Sequence, residues 1–227
     1  MNLLALDTST LCAAVALERG DGERFVAPVD ASRRHGRELL PAIRGLLRDA
    51  GIRPGELGAI GVGLGPGSYT GLRVGVTAAK TLAYATGARL VGLDSLEFFA
   101  RSAPIEALRV AAISDAQRGD LHVGDFARIE AGSPLLRSGP TRIESLEVLA
   151  TSWVPPLVVV GPGVARWDSP WPAGVEPIDR HDPDPRLLLD LLKDAVAANR
   201  RDDPWFLEPI YVRRSAAEDQ WESKKSR

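Results

Sequence analysis

From residue 58 to 73 the chain reads Gly-Ala-Ile-Gly-Val-Gly-Leu-Gly-Pro-Gly-Ser-Tyr-Thr-Gly-Leu-Arg, and small apolar residues then recur at helical spacing as far as Ala83. An apolar run, a glycine-rich middle and a small-residue helix leave little choice of local structure. The stretch predicts a strand, a tight turn and a helix. Gly63, Gly65 and Gly67 permit positive φ and a close approach of backbones that a Cβ would resist. Ser68 or Thr70 supplies a helix N-cap. Free N–H groups at such a helix start make an anion site the first functional candidate.

The neighbouring residues argue against that candidate. A P-loop needs a lysine directly after its last glycine, and the nearest here is Lys80, well inside the helix. A dinucleotide fingerprint starting at Gly65 would need its third glycine where Thr70 stands, although Asp94 could pose as a ribose ligand. Ser68 is not framed as Gly-x-Ser-x-Gly, so it is a poor nucleophile elbow. A structural turn with close helix packing is the better reading.

Asn2 to Leu6 reads as a buried strand ending in the polar turn Asp7-Thr8-Ser9-Thr10, followed by strands over Cys12–Leu17 and Glu23–Val29. Leu39, Leu40, Ile43, Leu46 and Leu47 fall at helical spacing within 32–50, with Pro41 near the first turn and Gly51 closing the helix. After the glycine element come a strand at Arg89–Leu93 and a helix at Ser95–Arg101, and then a hinge at Ser102-Ala-Pro104. Leu108–Ser114 and Asp120–Phe126 form a second hairpin around Asp115, repeating the first. Two halves that each begin with a strand, an acidic turn and a strand imply a duplicated two-lobe α/β protein with a cleft. A helix at 144–150, a strand at Leu157–Val160 and a helix at Arg186–Asn199 complete the chain, and the polar tail from Arg213 is expected to be disordered.

Asp7 and Asp115, at the two hairpin turns, are the residues that could orient a metal-bound water or phosphate; each is as easily a turn residue accepting N–H bonds. His35, His122 and His181 are scattered and there is one thiol, Cys12, so no metal set is expected. His122 reads as a surface or rim residue. Arg33, Arg34 and Arg37 form the one basic cluster, and a net charge of −2 gives no argument for a dedicated nucleic-acid binder. Nothing at the start resembles a signal peptide, and no apolar run approaches the roughly 20 residues of a membrane helix. A soluble cytoplasmic protein is expected.

Three segments carry a resemblance: Leu3-Leu-Ala-Leu-Asp-Thr-Ser-Thr10, Gly63-Leu-Gly-Pro-Gly-Ser-Tyr-Thr-Gly-Leu-Arg73 and Leu90-Val-Gly-Leu-Asp-Ser-Leu-Glu97. With His35–Pro41, Asp115–Asp120 and Glu208–Arg213, they make the whole chain similar to the TsaB family, formerly YeaZ, of the bacterial tRNA threonylcarbamoyladenosine machinery. The resemblance implies a two-lobed actin-like ATPase (ASKHA, ribonuclease H-like) fold of mixed sheets flanked by helices. Residues 1–103, joined by 200–213, would form the first lobe, 104–199 the second and 214–227 a tail. It also implies a non-catalytic role in forming N6-threonylcarbamoyladenosine at adenosine 37 of ANN-decoding tRNAs. The partners would be a catalytic TsaD-like subunit and a TsaE-like ATPase, with a homodimer when alone, tRNA contacted only through the complex, and no membrane. Asp7, Thr8, Ser9, Thr10 and Asp115 would be a degenerate nucleotide site with at most weak ATP or ADP binding and no metal. The partner surface would lie on 35–50 and 70–86, with His35, Leu39, Ile43, Tyr69, Leu72, Arg73, Val76 and Lys80 as candidates. Ala31-Ser-Arg-Arg-His35 resembles a stretch of TsaD, but the metal-binding histidine pair found further on in TsaD is missing. Two alternatives stay open. One is an autonomous Mg-ATP hydrolase or phosphotransferase using Asp7, Thr8, Thr10 and Asp115. The other is a protease acting on the partner, with Ser68 and His35 as the available pair.

Overall fold

A computed structural model describes residues 1–28, 35–178 and 184–213. Its first sheet is built from β1 (Asn2–Asp7), β2 (Ala14–Glu18), β3 (Arg24–Pro28), β4 (Leu57–Gly63) and β5 (Arg89–Leu93), in the order β3-β2-β1-β4-β5. The second contains β6 (Arg109–Asp115), β7 (Asp120–Ala127), β8 (Leu136–Arg137), β9 (Arg142–Ser145), β10 (Leu157–Val160) and β11 (Val175–Ile178). It runs β11-β10-β6-β7-β8, and β9 also pairs with β7. The two sheets share one plan. The first strand of an antiparallel hairpin, β1 or β6, pairs on its other side with a parallel strand, β4 or β10, and that strand with a second, β5 or β11. Mixed sheets flanked by helices are what the sequence predicts.

Among the described residues five α-helices cover the faces: α1 (His35–Asp49), α2 (Tyr69–Thr86), α3 (Ser95–Ala100), α4 (Leu146–Ser152) and α5 (Arg186–Ala197). Side chains alternate across a strand, so β1 sends Leu4 and Leu6 to one side and Leu3 and Ala5 to the other. Leu4 and Leu6 meet Leu39, Ile43 and Leu46 of α1 and Val76, Ala79 and Ala83 of α2. Leu3 and Ala5 join Phe98 and Phe99 of α3, Leu188 to Leu192 of α5, and Val110 and Ala112 of β6. Ala111 and Ile113 of β6 face outward to Leu149 of α4 and to Trp153. The layers therefore run α1/α2, first sheet, α3/α5, second sheet, α4. The middle helices are shared by both sheets.

Several boundaries differ from the sequence reading. The second strand starts at Ala14 rather than Cys12, because the turn reaches further and Thr10 Oγ1 donates to the carbonyl of Cys12 at 2.8 Å. The helix expected at 144–150 begins two residues later. Arg142–Ser145 is a strand, and Ser145 then caps α4. β8, β9 and β11 were missed because two to four residues cannot display an alternation. α5, expected in the second lobe, packs against β1, β2, β4 and β5 of the first sheet. Its leucines fill a layer between the sheets, which chain order alone does not reveal. His181, Arg33, Arg34 and the tail 214–227 lie outside the described residues.

At the outer edge of this arrangement Glu18 is buried, and its carboxylate accepts from Arg24 Nε at 2.7 Å and pairs with Lys193 Nζ at 3.0 Å, tying β2, β3 and α5 together. Burial alone would raise its pKa, but hydrogen bonds and charge from Lys193 and Arg24 outweigh that and hold it below the usual value. A lowered folded-state pKa adds stability above the unfolded value, and that stability is lost as pH falls through the folded one. Glu18→Gln is therefore expected to cost about 1–2 kcal/mol at neutral pH. Thermal melts should show the gap to wild type closing as the medium is acidified below the carboxylate range.

Candidate functional site

The turn after β1 and the glycine-rich turn after β4 form one packed unit. Asp7, Thr8 and Ser9 are 2%, 0% and 4% exposed. Asp7 Oδ1 accepts from Ser9 N–H at 2.7 Å, and Asp7 Oδ2 accepts from Ser95 Oγ at 2.5 Å. Ser95 Oγ in turn accepts from Gly65 N–H at 3.0 Å. Ser68 N–H donates to the carbonyl of Ser9 at 2.7 Å, and Thr8 Oγ1 donates to the carbonyl of Gly71 at 2.7 Å. Ser68 also caps α2, its Oγ accepting from Gly71 N–H at 3.2 Å, and the helix closes at Gly87 with φ 72.

Absent side chains make this approach possible. A Cβ at Gly63 would lie 1.9 Å from Asp7 Oδ2, and one at Gly67 2.3 Å from the Ser9 carbonyl. At Gly71 it would lie 2.1 Å from the Thr8 carbonyl, and at Gly75 2.2 Å from Thr8 Oγ1. The start of α2 thus lies directly on the Asp7–Thr8–Ser9 turn. Three of the expected nucleotide-site residues are covered by protein, and Thr10 is half-buried. Burial raises the Asp7 carboxyl above its usual value, the hydrogen bonds from Ser9 and Ser95 offsetting only part of it.

Asp115 is placed differently. It is exposed at the β6–β7 turn, where its Oδ1 accepts from Gln117 N–H at 2.7 Å and its Oδ2 lies 3.7 Å from Arg166 Nε. It lines a cavity of about 260 Å³ between that turn and the glycine-rich turn, with Pro66, Gly67, Tyr69, Tyr211 and Arg213 on the other walls. Asp7, Thr8 and Ser9 do not line it. His122 does, and it corrects the sequence reading: it is 6% exposed, a core residue and not a rim residue. Its Nδ1 is 3.4 Å from Ser114 Oγ, directly across the hairpin, and burial with the nearby Arg213 charge lowers its pKa to about 4, so it is neutral at pH 7. The Ser68–His35 pair gains no geometric support. Ser68 is occupied as a cap, and the His35 side chain lies outside the described residues. Among the described residues no group of His, Cys, Asp and Glu is placed to hold a metal ion.

The expected partner positions divide by exposure. Leu39, Ile43, Leu72 and Val76 are 1–4% exposed and belong to the interior, a correction: the resemblance pointed to these two helices, and these four positions lie on their inner sides. Tyr69, Arg73 and Lys80 lie on the outer side of α2, with Thr77 and Tyr84 continuing the stripe. The C-terminal segment expected to rejoin the first lobe runs alongside, and its contacts with α2 are what sequence reasoning missed. Lys80 Nζ donates to the carbonyl of Leu207 at 3.1 Å, and Arg73 Nε donates to Tyr211 OH at 3.2 Å. The Tyr69 and Tyr211 rings are 5.1 Å apart, and Tyr84 and Trp205 meet edge to face at 6.1 Å. Tyr84, Trp205 and Phe206 are 75%, 76% and 82% exposed. The signal available in the sequence was the cluster Trp205-Phe206 and Ile210-Tyr211 in an otherwise polar end.

Two substitutions test the packed unit. Gly71→Ala should cost about 1–3 kcal/mol by overpacking, whereas Gly45→Ala in α1, where a Cβ meets nothing, should be neutral or stabilising in the same denaturant titrations. Because the Asp7 pKa is raised, its stabilising contribution is present below the unfolded value and is lost as pH rises through the folded one. Asp7→Asn should therefore gain on wild type as pH climbs from the carboxylate range to neutrality, read as melting temperature against pH.

Comparison with known proteins gives a consistent result. The family model described as TsaD, tRNA N6-adenosine threonylcarbamoyltransferase, matches residues 20–136. The chain is similar to the tRNA threonylcarbamoyladenosine biosynthesis protein TsaB of Escherichia coli, 30% identical over 175 residues, 74% of each chain. It is 37% identical over 124 residues to the protein of the same name from Bacillus subtilis, where the match spans 55% of this chain and about half, 54%, of the relative. Among solved structures, YeaZ from Pseudomonas aeruginosa is 29% identical with a TM-score of 0.77, over 92% of this chain and 99% of its own. A second Pseudomonas aeruginosa structure, described as an uncharacterized protein with similarity to peptidase YEAZ, has a TM-score of 0.80 at 29% identity over 93% and 99%.

Proposed function

The chain belongs to the TsaB (YeaZ) family, and on that premise we propose that it is a non-catalytic subunit required for N6-threonylcarbamoyladenosine formation in ANN-decoding tRNAs. It binds and supports a TsaD-like transferase, works with a TsaE-like ATPase, and meets tRNA through the complex. Alone it forms a homodimer, and its compartment is the cytoplasm. No helix among the described residues is long and apolar enough to cross a membrane.

One observation carries this reading. The start of α2 covers Asp7, Thr8 and Ser9, while its opposite side exposes Tyr69, Arg73 and Tyr84 beside Trp205 and Phe206. With Asp7, Thr8 and Ser9 covered and the Asp7 oxygens accepting from Ser9 N–H and Ser95 Oγ, the turn offers little open surface to magnesium or phosphate. Exposed tyrosine and tryptophan side chains in one stripe have the composition of interface hot spots. On this reading the docking surface is the outer stripe of α2 together with Trp205 and Phe206.

Reconstitution tests the proposal. Transferase, ATPase, tRNA and threonylcarbamoyl donor should give modified tRNA only when this chain is added; full modification without it would refute the role. In biosensor titrations against the transferase, the Tyr84→Ala/Trp205→Ala pair is expected to weaken binding at least tenfold, corresponding to about 1.4 kcal/mol. Ile129→Ala, at an exposed position on the second sheet's side, should change nothing.

A second reading, an autonomous Mg-ATP hydrolase, draws on Asp115, which stays exposed at the cavity between the two turns. Phosphate release by the isolated chain that Asp115→Asn abolishes would favour it over the first.

A further inference from the structure

The β6–β7 turn holds backbone that side-chain-bearing residues rarely adopt. Gln117, Arg118 and Gly119 take φ of 62, 59 and 86 in succession. Two consecutive residues with a Cβ in the left-handed region persist only where their surroundings over-determine them. The hairpin supplies part of that hold, through Ala116 N–H to the carbonyl of Asp120 at 3.0 Å and Asp120 N–H to the carbonyl of Gln117 at 3.1 Å. The rest comes from the far end of the chain. Arg213 Nη1 donates to the carbonyls of Ala116 and Gln117, each at 3.1 Å, and Nη2 pairs with the Asp120 carboxylate.

The residues just before Arg213 are fixed to the other lobe. Ile210 N–H donates to the carbonyl of Leu64 at 2.8 Å, and Tyr211 lies on Tyr69 with its hydroxyl accepting from Arg73. Four residues thus span from the outer side of α2, along the cavity wall, to the turn of the second sheet. The same two α2 side chains that seat Tyr211 belong to the docking stripe.

We propose that residues 210–213 form a latch between the lobes, operated by a partner docking on α2. A partner that engages Tyr69 and Arg73 draws Tyr211 away, and Arg213 leaves the carbonyls of Ala116 and Gln117. The 117–119 turn then relaxes from its left-handed conformation and the cavity mouth changes shape. This rests on the docking reading above. Because coupling between two equilibria is reciprocal, contacts that hold the turn latched oppose docking by the same factor by which docking loosens the turn.

Hydrogen exchange on the isolated chain tests the latch, and binding to the tRNA N6-adenosine threonylcarbamoyltransferase tests its operation. Arg213→Ala should raise amide exchange at Gln117–Asp120 at least tenfold while leaving α2 unchanged. Gln117→Gly, which makes the left-handed turn easy, should shrink that increase. Arg213→Ala should also bind the transferase several-fold more tightly than wild type. Unchanged exchange at 117–120 in Arg213→Ala would overturn the latch, and equal or weaker binding by that variant would overturn its coupling to docking. Should wild type fail to bind the transferase, the docking reading and the coupling fall together, while the exchange result on the isolated chain still decides whether the latch exists.

Discussion

The contact between the β1–β2 turn and the glycine-rich turn sets the geometry of everything outside the first sheet. Four glycines bring α2 and its leading turn against Asp7, Thr8 and Ser9, and six hydrogen bonds hold the two turns and Ser95 together. Glycine is needed because the space where each Cβ would go is already filled, by the Ser9 and Thr8 carbonyls at Gly67 and Gly71 and by the Asp7 and Thr8 side chains at Gly63 and Gly75. Once α2 is seated there, its inner side must complete the core with Val76, Ala79 and Ala83, and its outer stripe must face away. The same contact covers Asp7, Thr8 and Ser9.

A second dependence follows from the duplicated sheet plan. Each hairpin and its parallel strands make a sheet with two apolar faces, so the two sheets need a common filling between them. α3 and α5 provide it, with Phe98, Phe99 and the leucines of α5 meeting strands of both sheets. After α5 the chain must return over the first sheet. Asp202 marks that path, its N–H donating to the carbonyl of Leu90 at 2.8 Å and its carboxylate accepting from Gly92 N–H at 2.7 Å. The return carries Trp205 to Tyr211 along α2 and delivers Arg213 to the second lobe. One crossing segment therefore contributes both to the outer aromatic surface and to the cavity wall.

Much of this was legible in the sequence, for identifiable reasons. β1, β5, β10 and the glycine element announce themselves because apolar runs bounded by polar or glycine turns have one economical structure. Asp7 and the glycines were read as separate motifs; their identity as one unit depends on a contact between residues about sixty positions apart, which no local pattern encodes. Leu39, Ile43, Leu72 and Val76 illustrate a related limit, since a resemblance that points to two helices does not say which side of each helix is buried. His122 was misplaced because strand alternation assigns a face but not whether that face is covered. The 205–211 segment has no periodicity at all, and its importance follows from where α5 ends. Family resemblance supplied the function class, and the packing of the two turns is the observation on which the docking proposal rests.

On the proposed reading this chain offers a protein-binding face on α2 and no open phosphate site at the Asp7–Ser9 turn. Isothermal titration calorimetry in a single buffer tests it most directly, with the chain in the cell and either Mg-ATP or the transferase in the syringe. The account predicts saturable heat with the transferase and none with Mg-ATP at the same concentrations. Saturable Mg-ATP binding that Asp7→Asn removes, with no heat from the transferase, would contradict it.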